Sequence, residues 1–363
     1  MATTMAMAMA AVSMVASRLS TTTTTPTPTP TRGLGLFKPL SSSSSCRHRN
    51  SATKILRASS VATDSETNYY LNQNQAAKNH NQLQLLACPI CHDLLISNSA
   101  DPLFSLDATP MSILNCSTCK KTYTGNQTHL DLTLTTTNYT QLNPPSSELF
   151  RLPLVSFLYE RGWRQAFSIW GGFPGPEKEF EMMKDYLKPA IGGSIIDASC
   201  ATGLFSRLFA KSGLFSLVVA LDFSEAMLKQ CYDYIKQDEN ISQENLVLVR
   251  ADIARLPFAS SSIDAVHAGA ALHCWPSPSA GVAEISRILR PGGVFVATTY
   301  VVDGPYSFIP FLSPLRQNIG QISGSHIYLS DGELKDLCST CGLVDYTCVR
   351  NRRFVMISAR KPN

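Results

Sequence analysis

Beyond residue 190 the chain switches between two spacings of apolar positions. Short runs such as Ser194-Ile195-Ile196-Asp197, Val218-Val219-Ala220-Leu221 and Val294-Phe295-Val296 have the length and β-branched content of buried strands. Longer stretches place apolar residues three and four apart, the period of an amphipathic helix. These patterns predict strands near 194–199, 215–221, 246–250, 262–268, 293–299, 343–349 and 353–359. Helices are predicted near 204–212, 224–237, 278–289 and 331–341. Alternation of the two types predicts an α/β fold, a mostly parallel sheet with helices on both faces. The last two strands are separated only by Arg350 to Arg352 and should pair antiparallel. Ahead of the sheet, Phe150 to Leu187 has helical patterning broken by Trp170-Gly171-Gly172-Phe173-Pro174-Gly175-Pro176.

Chemistry-bearing residues fall where strands end. Asp197-Ala198-Ser199-Cys200-Ala201-Thr202-Gly203 takes the chain from an acid, through a turn of small residues, into a helix, which presents backbone N–H groups at the C-terminal edge of the strand. Asp222 closes the next apolar run 19 residues after Gly203, near the offset of about 20 at which a carboxylate reaches ribose hydroxyls. Arg250-Ala251-Asp252-Ile253 and Arg290-Pro291-Gly292-Gly293 follow in order. A dinucleotide-binding protein shares the strand, turn and later acid, but its Gly-x-Gly-x-x-Gly is missing here.

The ordered series resembles the class I S-adenosylmethionine-dependent methyltransferases over roughly residues 150 to 360, in particular the type 11 branch with the ubiquinone and menaquinone methyltransferases. The resemblance implies a Rossmann-like doubly wound sheet with an antiparallel terminal hairpin. It implies further that Asp197, Ser199, Ala201 and Gly203 form the turn under the cofactor's methionine part. Asp222 would hold the ribose hydroxyls, Asp252 and Ile253 would flank the adenine, and Asp264 would start the fourth strand. Where most members carry Gly-x-Gly-x-Gly, this chain has Ser199, Ala201 and Gly203. A Cβ at Ala201 stands where glycine would allow φ > 0 or a close approach to ligand.

Composition divides the chain further. The first 60 residues hold seven Lys or Arg and no Asp or Glu; removed from totals of 31 and 27, they leave 24 basic against 27 acidic residues. That Ser-, Thr- and Ala-rich segment reads as an organelle transit peptide, with the chloroplast (stroma or plastoglobule surface) as destination. Its Thr-Pro repeats and run of serines oppose the amphipathic helix of a mitochondrial signal. Residues 61–84 read as a linker, 85–135 as a zinc-ribbon-like domain, 136–190 as a linker and helical lid, and 191–363 as the catalytic domain. Residues 300–329 form an insertion with Phe308, Ile309, Phe311 and Leu312, expected to cap an apolar substrate. No stretch approaches 18 uninterrupted apolar residues, so no membrane-spanning helix is expected, while peripheral membrane contact stays open.

Cys88-Pro-Ile-Cys91 and Cys116-Ser-Thr-Cys119 are separated by 24 residues. Two Cys-x-x-Cys turns supply four thiolates to a tetrahedral ion, and structural zinc suits that set. The rival readings are a pair of dithiol redox sites or an iron–sulfur site. Cys338, Cys341 and Cys348 read as core thiols, as do Cys200, Cys231 and Cys274.

For catalysis the candidate is His273, in Ala271-Leu272-His273-Cys274-Trp275-Pro276 after the fourth strand, as the base for a phenol or acidic carbon. His267 lies inside that strand and is expected to be buried. The segments around Ser156-Phe-Leu-Tyr-Glu-Arg-Gly-Trp-Arg-Gln resemble a plant group of chloroplast methyltransferases, which implies that Tyr159, Arg161, Trp163 and Arg164 line a lid. Three functions follow in order of support. The first is methylation of a lipophilic small molecule such as a prenylquinone. The second is methylation of a ribosomal RNA base, suggested by the resemblance of a four-cysteine ribbon before such a domain to bacterial enzymes. In the ribbon only His92, Lys120, Lys121 and His129 would offer charge to nucleic acid. The third is a repurposed fold without methyl transfer. The sequence leaves the oligomeric state open.

Overall fold

A computed structural model describes residues 85–97, 106, 113–134, 156, 159–160, 171–301 and 329–363. Four short strands come first: β1 (Leu95–Ser97), β2 (Ile113–Cys116), β3 (Thr122–Gly125) and β4 (Leu130–Asp131). Helix α1 (Pro176–Leu187) leads into β5 (Ser194–Ala198), α2 (Leu204–Ser212), β6 (Leu217–Asp222), α3 (Glu225–Lys236), β7 (Leu246–Arg250) and β8 (Ile263–Gly269). The chain closes with α4 (Pro278–Ile288), β9 (Leu289–Tyr300), α5 (Asp331–Thr340), β10 (Val344–Asn351) and β11 (Phe354–Arg360).

Strands β5 to β9 are parallel in the spatial order β7-β6-β5-β8-β9, and β11 then pairs antiparallel with both β9 and β10. This is the class I methyltransferase arrangement, terminal hairpin included. The reversal of winding direction falls between β5 and β8, so ligands are expected at the carboxyl ends of these strands. All five residues of β5 are buried, as a central strand covered on both faces requires.

Helices α1, α2 and α3 pack Met183, Leu187, Phe205, Phe209, Leu228 and Ile235 on one face. Helices α4 and α5 pack Val282, Ile285, Ile288, Leu334 and Cys338 on the other. Local chemistry fixes where the helices begin. Ser224 and Ser277 accept from the backbone N–H groups of Met227 and Ala280, and Ser330 with Glu333 forms a reciprocal capping box.

Two features depart from the pattern-based expectation. Strand β9 starts at Leu289 rather than near 293, since the Arg-Pro-Gly-Gly segment already runs beside β8; a register shift after Ile263 and a φ of 73° at Gly292 absorb the proline. The ribbon is not a separate sheet. Its β4 pairs parallel with β7, Leu130 opposite Val249 and Asp131 opposite Arg250, so an eleven-stranded sheet runs from β1 to β10 among the described residues. Leu86, Leu114, Leu130 and Leu132 are buried with Phe258 at this seam. A two-residue strand after a polar Thr- and Asn-rich segment carries too little pattern to reveal such a pairing.

Candidate functional site at the carboxyl edge of the sheet

The turn after β5 takes a conformation normally reserved for glycine. Ser199 has φ 59°, Ala201 φ 50° and Gly203 φ 78°. Each L-residue held there costs about 1–2 kcal/mol. Neighbouring contacts hold the turn in place. The Ala201 backbone N–H donates to Asp222 Oδ2 at 2.9 Å, Cys200 N–H donates to the Leu221 carbonyl at 3.0 Å, and Ser199 Oγ accepts from Trp275 Nε1 at 2.9 Å. Gly203 has no such freedom to vary, because an added Cβ would overlap the Cys231 sulfur. Ala201 thus takes the positive φ that its Cβ was expected to oppose, as a strained residue of a formed turn.

Asp222 ends β6 facing this turn. Its other oxygen accepts from Ser224 N–H at 2.8 Å, and burial pushes its carboxyl up to about 6 against the pull of these N–H groups. Asp252 accepts from Ala254 N–H at 2.9 Å in the loop after β7, and Ile253 is buried beside it. Asp197 faces inward. It accepts from Ser206 Oγ at 2.6 Å and pairs with His267 Nδ1 at 2.8 Å beneath the turn, so it braces α2 and β8 from below. His267 is buried as expected, between Phe205 and Phe209, with Nε2 lacking a hydrogen-bond partner among the described residues. Asp264, near the start of β8, accepts from Ser194 N–H and Oγ and pairs with Arg290, an anchoring role.

His273 sits on a short 3₁₀ turn, Leu272–Cys274, after β8. It is almost fully buried, with Nδ1 3.0 Å from Thr299 Oγ1 and its ring edge-on to Tyr300 at 5.3 Å between centroids. Tyr300 closes β9, and its ring also packs against Phe173 at 4.7 Å. Three residues escaped the sequence reading here. Tyr300 is the last residue of β9, Trp275 lies two residues beyond His273, and Glu160 accepts from Thr202 Oγ1 at 2.5 Å and Arg207 at 2.6 Å. Trp275 carried a usable signal, as a buried indole N–H seeks a partner and Ser199 replaces a glycine. Among the lid residues Tyr159 is half-buried, while Arg161, Trp163, Arg164 and residues 302–328, with Phe308, Ile309, Phe311 and Leu312, lie outside the described residues.

The four ribbon cysteines converge. Their sulfurs all lie within 4.8 Å of one another, Cys91 and Cys116 at 3.5 Å. Sulfurs bound to a tetrahedral ion at about 2.3 Å would stand roughly 3.8 Å apart, so the cluster has the size of a four-thiolate site. Each Cys-x-x-Cys turn closes the same way. His92 N–H bonds back to the Cys88 carbonyl and Lys120 N–H to the Cys116 carbonyl, with His92 and Lys120 both at positive φ. Burial pushes the Cys88 thiol up, but the Tyr123 hydroxyl and two backbone N–H groups outweigh it and bring it down to about 7. The Asp93 backbone N–H favours a Cys91 thiolate, yet the neighbouring sulfurs hold Cys91 up to about 12. Such a set ionises together only around a cation.

His129 is fully buried between Asn126 and Thr128, and burial lowers its pKa, so it adds no charge to the surface. Cys200, Cys231 and Cys338 are buried in the core, whereas Cys274, Cys341 and Cys348 are half-buried. Burial pushes the Cys274 and Cys338 thiols up to about 12, which suits packing rather than nucleophilic chemistry.

Comparison with known proteins fits this geometry. Residues 196–297 match a family described as a methyltransferase domain. Two chloroplastic methyltransferases of Arabidopsis thaliana, of uncharacterised activity, are 63% identical over 79% of this chain and 81% of their own, and 47% identical over 89% of each chain. A demethylmenaquinone methyltransferase of Desulfitobacterium hafniense is 28% identical over 58% of this chain and 83% of its own. Sheet order, the turn facing Asp222 and these relatives agree: the chain belongs to the class I S-adenosylmethionine-dependent methyltransferases, with the type 11 methyltransferase domain.

Proposed function

We propose that the protein is a chloroplast enzyme that methylates a lipophilic small molecule of the prenylquinone or a related phenolic class. The observation that carries this is the group formed by His273, Thr299 and Tyr300 at the carboxyl edge of β8 and β9, a buried base among aromatic rings. The likeness to a demethylmenaquinone methyltransferase and the chloroplastic naming of the two plant relatives point the same way. The loss of His129 from the ribbon surface weakens the case for nucleic acid, which is held through exposed cationic side chains.

The turn and Asp222 fit the cofactor, with a ribose-binding carboxylate facing a loop of small residues. When bound, S-adenosylmethionine supplies an electrophilic methyl group on a sulfonium. Asp222 would take the ribose hydroxyls, and Asp252 with Ile253 would flank the adenine. His273, whose ring Thr299 orients through Nδ1, is the base that would accept the proton of a phenolic or quinol acceptor. Tyr300 and Phe173 pack beside it and keep water from the acceptor. Cys88, Cys91, Cys116 and Cys119 would hold a zinc ion in the ribbon, where its role would be structural. Peripheral contact with a membrane or plastoglobule supplies the substrate.

The test is methyl transfer from labelled S-adenosylmethionine to reduced prenylquinones and, in parallel, to chloroplast ribosomal RNA. Transfer to a quinol, reduced about 100-fold or more in kcat by His273→Ala at unchanged S-adenosylhomocysteine affinity, is the expected result. Transfer to RNA alone would overturn the substrate class, and tight cofactor binding without transfer to either acceptor would favour a repurposed fold.

A further inference from the structure

The loop carrying Asp252 and Ile253 is gripped at both ends by the cysteine ribbon. At its start, Leu132 N–H donates to the Arg250 carbonyl at 2.9 Å, where β4 lies beside β7. The Arg250 side chain donates to Asp131 Oδ2 at 2.8 Å and to the Phe223 carbonyl at 3.1 Å, so one guanidinium joins the ribbon to the residue after Asp222. Ala251 N–H bonds to the Asp222 carbonyl at 3.1 Å. At the far end of the loop, Ala87 N–H donates to the Pro257 carbonyl at 2.9 Å and Ala259 N–H to the Leu85 carbonyl at 2.8 Å, across a bridge between Leu86 and Phe258. Leu85 to Ala87 run directly into Cys88, the first cysteine of the cluster.

The grip depends on the cluster. Residues 85–87 and β4 belong to a ribbon whose strands are two to four residues long, too short to hold their places through backbone pairing alone. The cysteine turns join them: Cys88 follows the first arm, and Cys116 ends β2, which leads through β3 to β4. An ion bound by all four sulfurs fixes the spacing of the two arms. Without it, four thiols at the centre of a small ribbon are a poor substitute for a core.

We infer that the metal-loaded ribbon is a clamp on the adenine side of the cofactor site, so that cofactor affinity follows metal occupancy although the ion touches no ligand. The inference rests on the metal reading above, and it does not depend on the methyl acceptor.

The full-length protein, purified with zinc and again after chelation, is titrated calorimetrically with S-adenosylhomocysteine while zinc content is measured. Amide hydrogen exchange is followed over 251–259. The expected result is a loss of about tenfold or more in affinity, faster exchange in 251–259 than in β5 and β8, and recovery of both on adding zinc chloride. Asp131→Asn supplies the independent arm, since it removes the charge that pairs with Arg250 but leaves all four cysteines. It should keep one zinc per chain and the parent melting temperature, yet lower affinity several-fold and speed exchange in 251–259. Equal affinity and equal exchange in the loaded and stripped proteins would overturn the clamp. If chelation unfolds the whole chain, Asp131→Asn decides, and unchanged exchange in that variant would overturn it. A loaded native protein that binds no S-adenosylhomocysteine would count against the cofactor site itself, and loop exchange would still judge the clamp.

Discussion

Ala201→Gly installs the glycine that the family resemblance implies at this position, and the geometry makes a specific forecast for it. Ala201 sits at φ 50°, with its N–H already bonded to Asp222 Oδ2. Relief of the left-handed conformation is worth about 1–2 kcal/mol. Against that, the greater freedom of glycine in the unfolded chain costs about 0.4–1 kcal/mol. The difference is a net stabilisation of up to about 1.6 kcal/mol, or up to roughly 6 °C in melting temperature for a domain of this size. Cofactor affinity should change little, because the turn is formed in the native protein and its donor is in place. Calorimetric titration with S-adenosylhomocysteine should therefore give dissociation constants within about threefold, a difference of roughly 0.7 kcal/mol. A gain of thirtyfold or more would refute the reasoning, for it would mean that the methyl group of Ala201 obstructs the ligand.

Other substitutions probe the same edge. Ser199→Ala keeps the backbone strain but removes the acceptor of the Trp275 indole N–H, and should cost about 1–3 kcal/mol in urea denaturation; an unchanged midpoint would sink the bond. Gly203→Ala combines φ 78° with overlap on the Cys231 sulfur and should cost about 2–5 kcal/mol, checked by whether the melting temperature falls by more than a few degrees. The Asp222 carboxyl, raised to about 6, protonates in mildly acid solution, so cofactor affinity should fall by up to about tenfold per unit below pH 6. The sign for stability is opposite. A carboxyl with a raised folded pKa favours the protonated native state, so this group adds stability as pH falls from about 6 toward the ordinary carboxylate range, and binding should weaken without loss of fold. Loss of affinity that tracks melting between pH 7 and 5 would contradict that assignment.

The catalytic sheet was legible because its signals are local. Buried parallel strands such as β5, β6 and β7 are continuous apolar runs, and the serine caps of α3, α4 and α5 mark where helices begin. The acids at strand ends were legible for the same reason. What stayed hidden depends on distant pairs. Trp275 with Ser199 spans 76 residues and Arg250 with Asp131 spans 119, and neither residue stands out beside its own neighbours. Asp197 shows the converse, an acid in a motif position whose side chain braces His267 and Ser206.

The pairing of β4 with β7 also sets an order of assembly. Asp131 precedes Arg250 by 119 residues, so the two strands can pair only after the chain between them has closed a long loop. Until they meet, the ribbon has no partner for its last strand, and β7, with Leu246 to Val249 fully buried in the finished sheet, is a bare hydrophobic edge. The two-residue β4 is thus the seal on the β7 margin of the parallel strands. A protein truncated through residue 131 should therefore be sticky rather than merely less active, since what it loses is the cover on that edge.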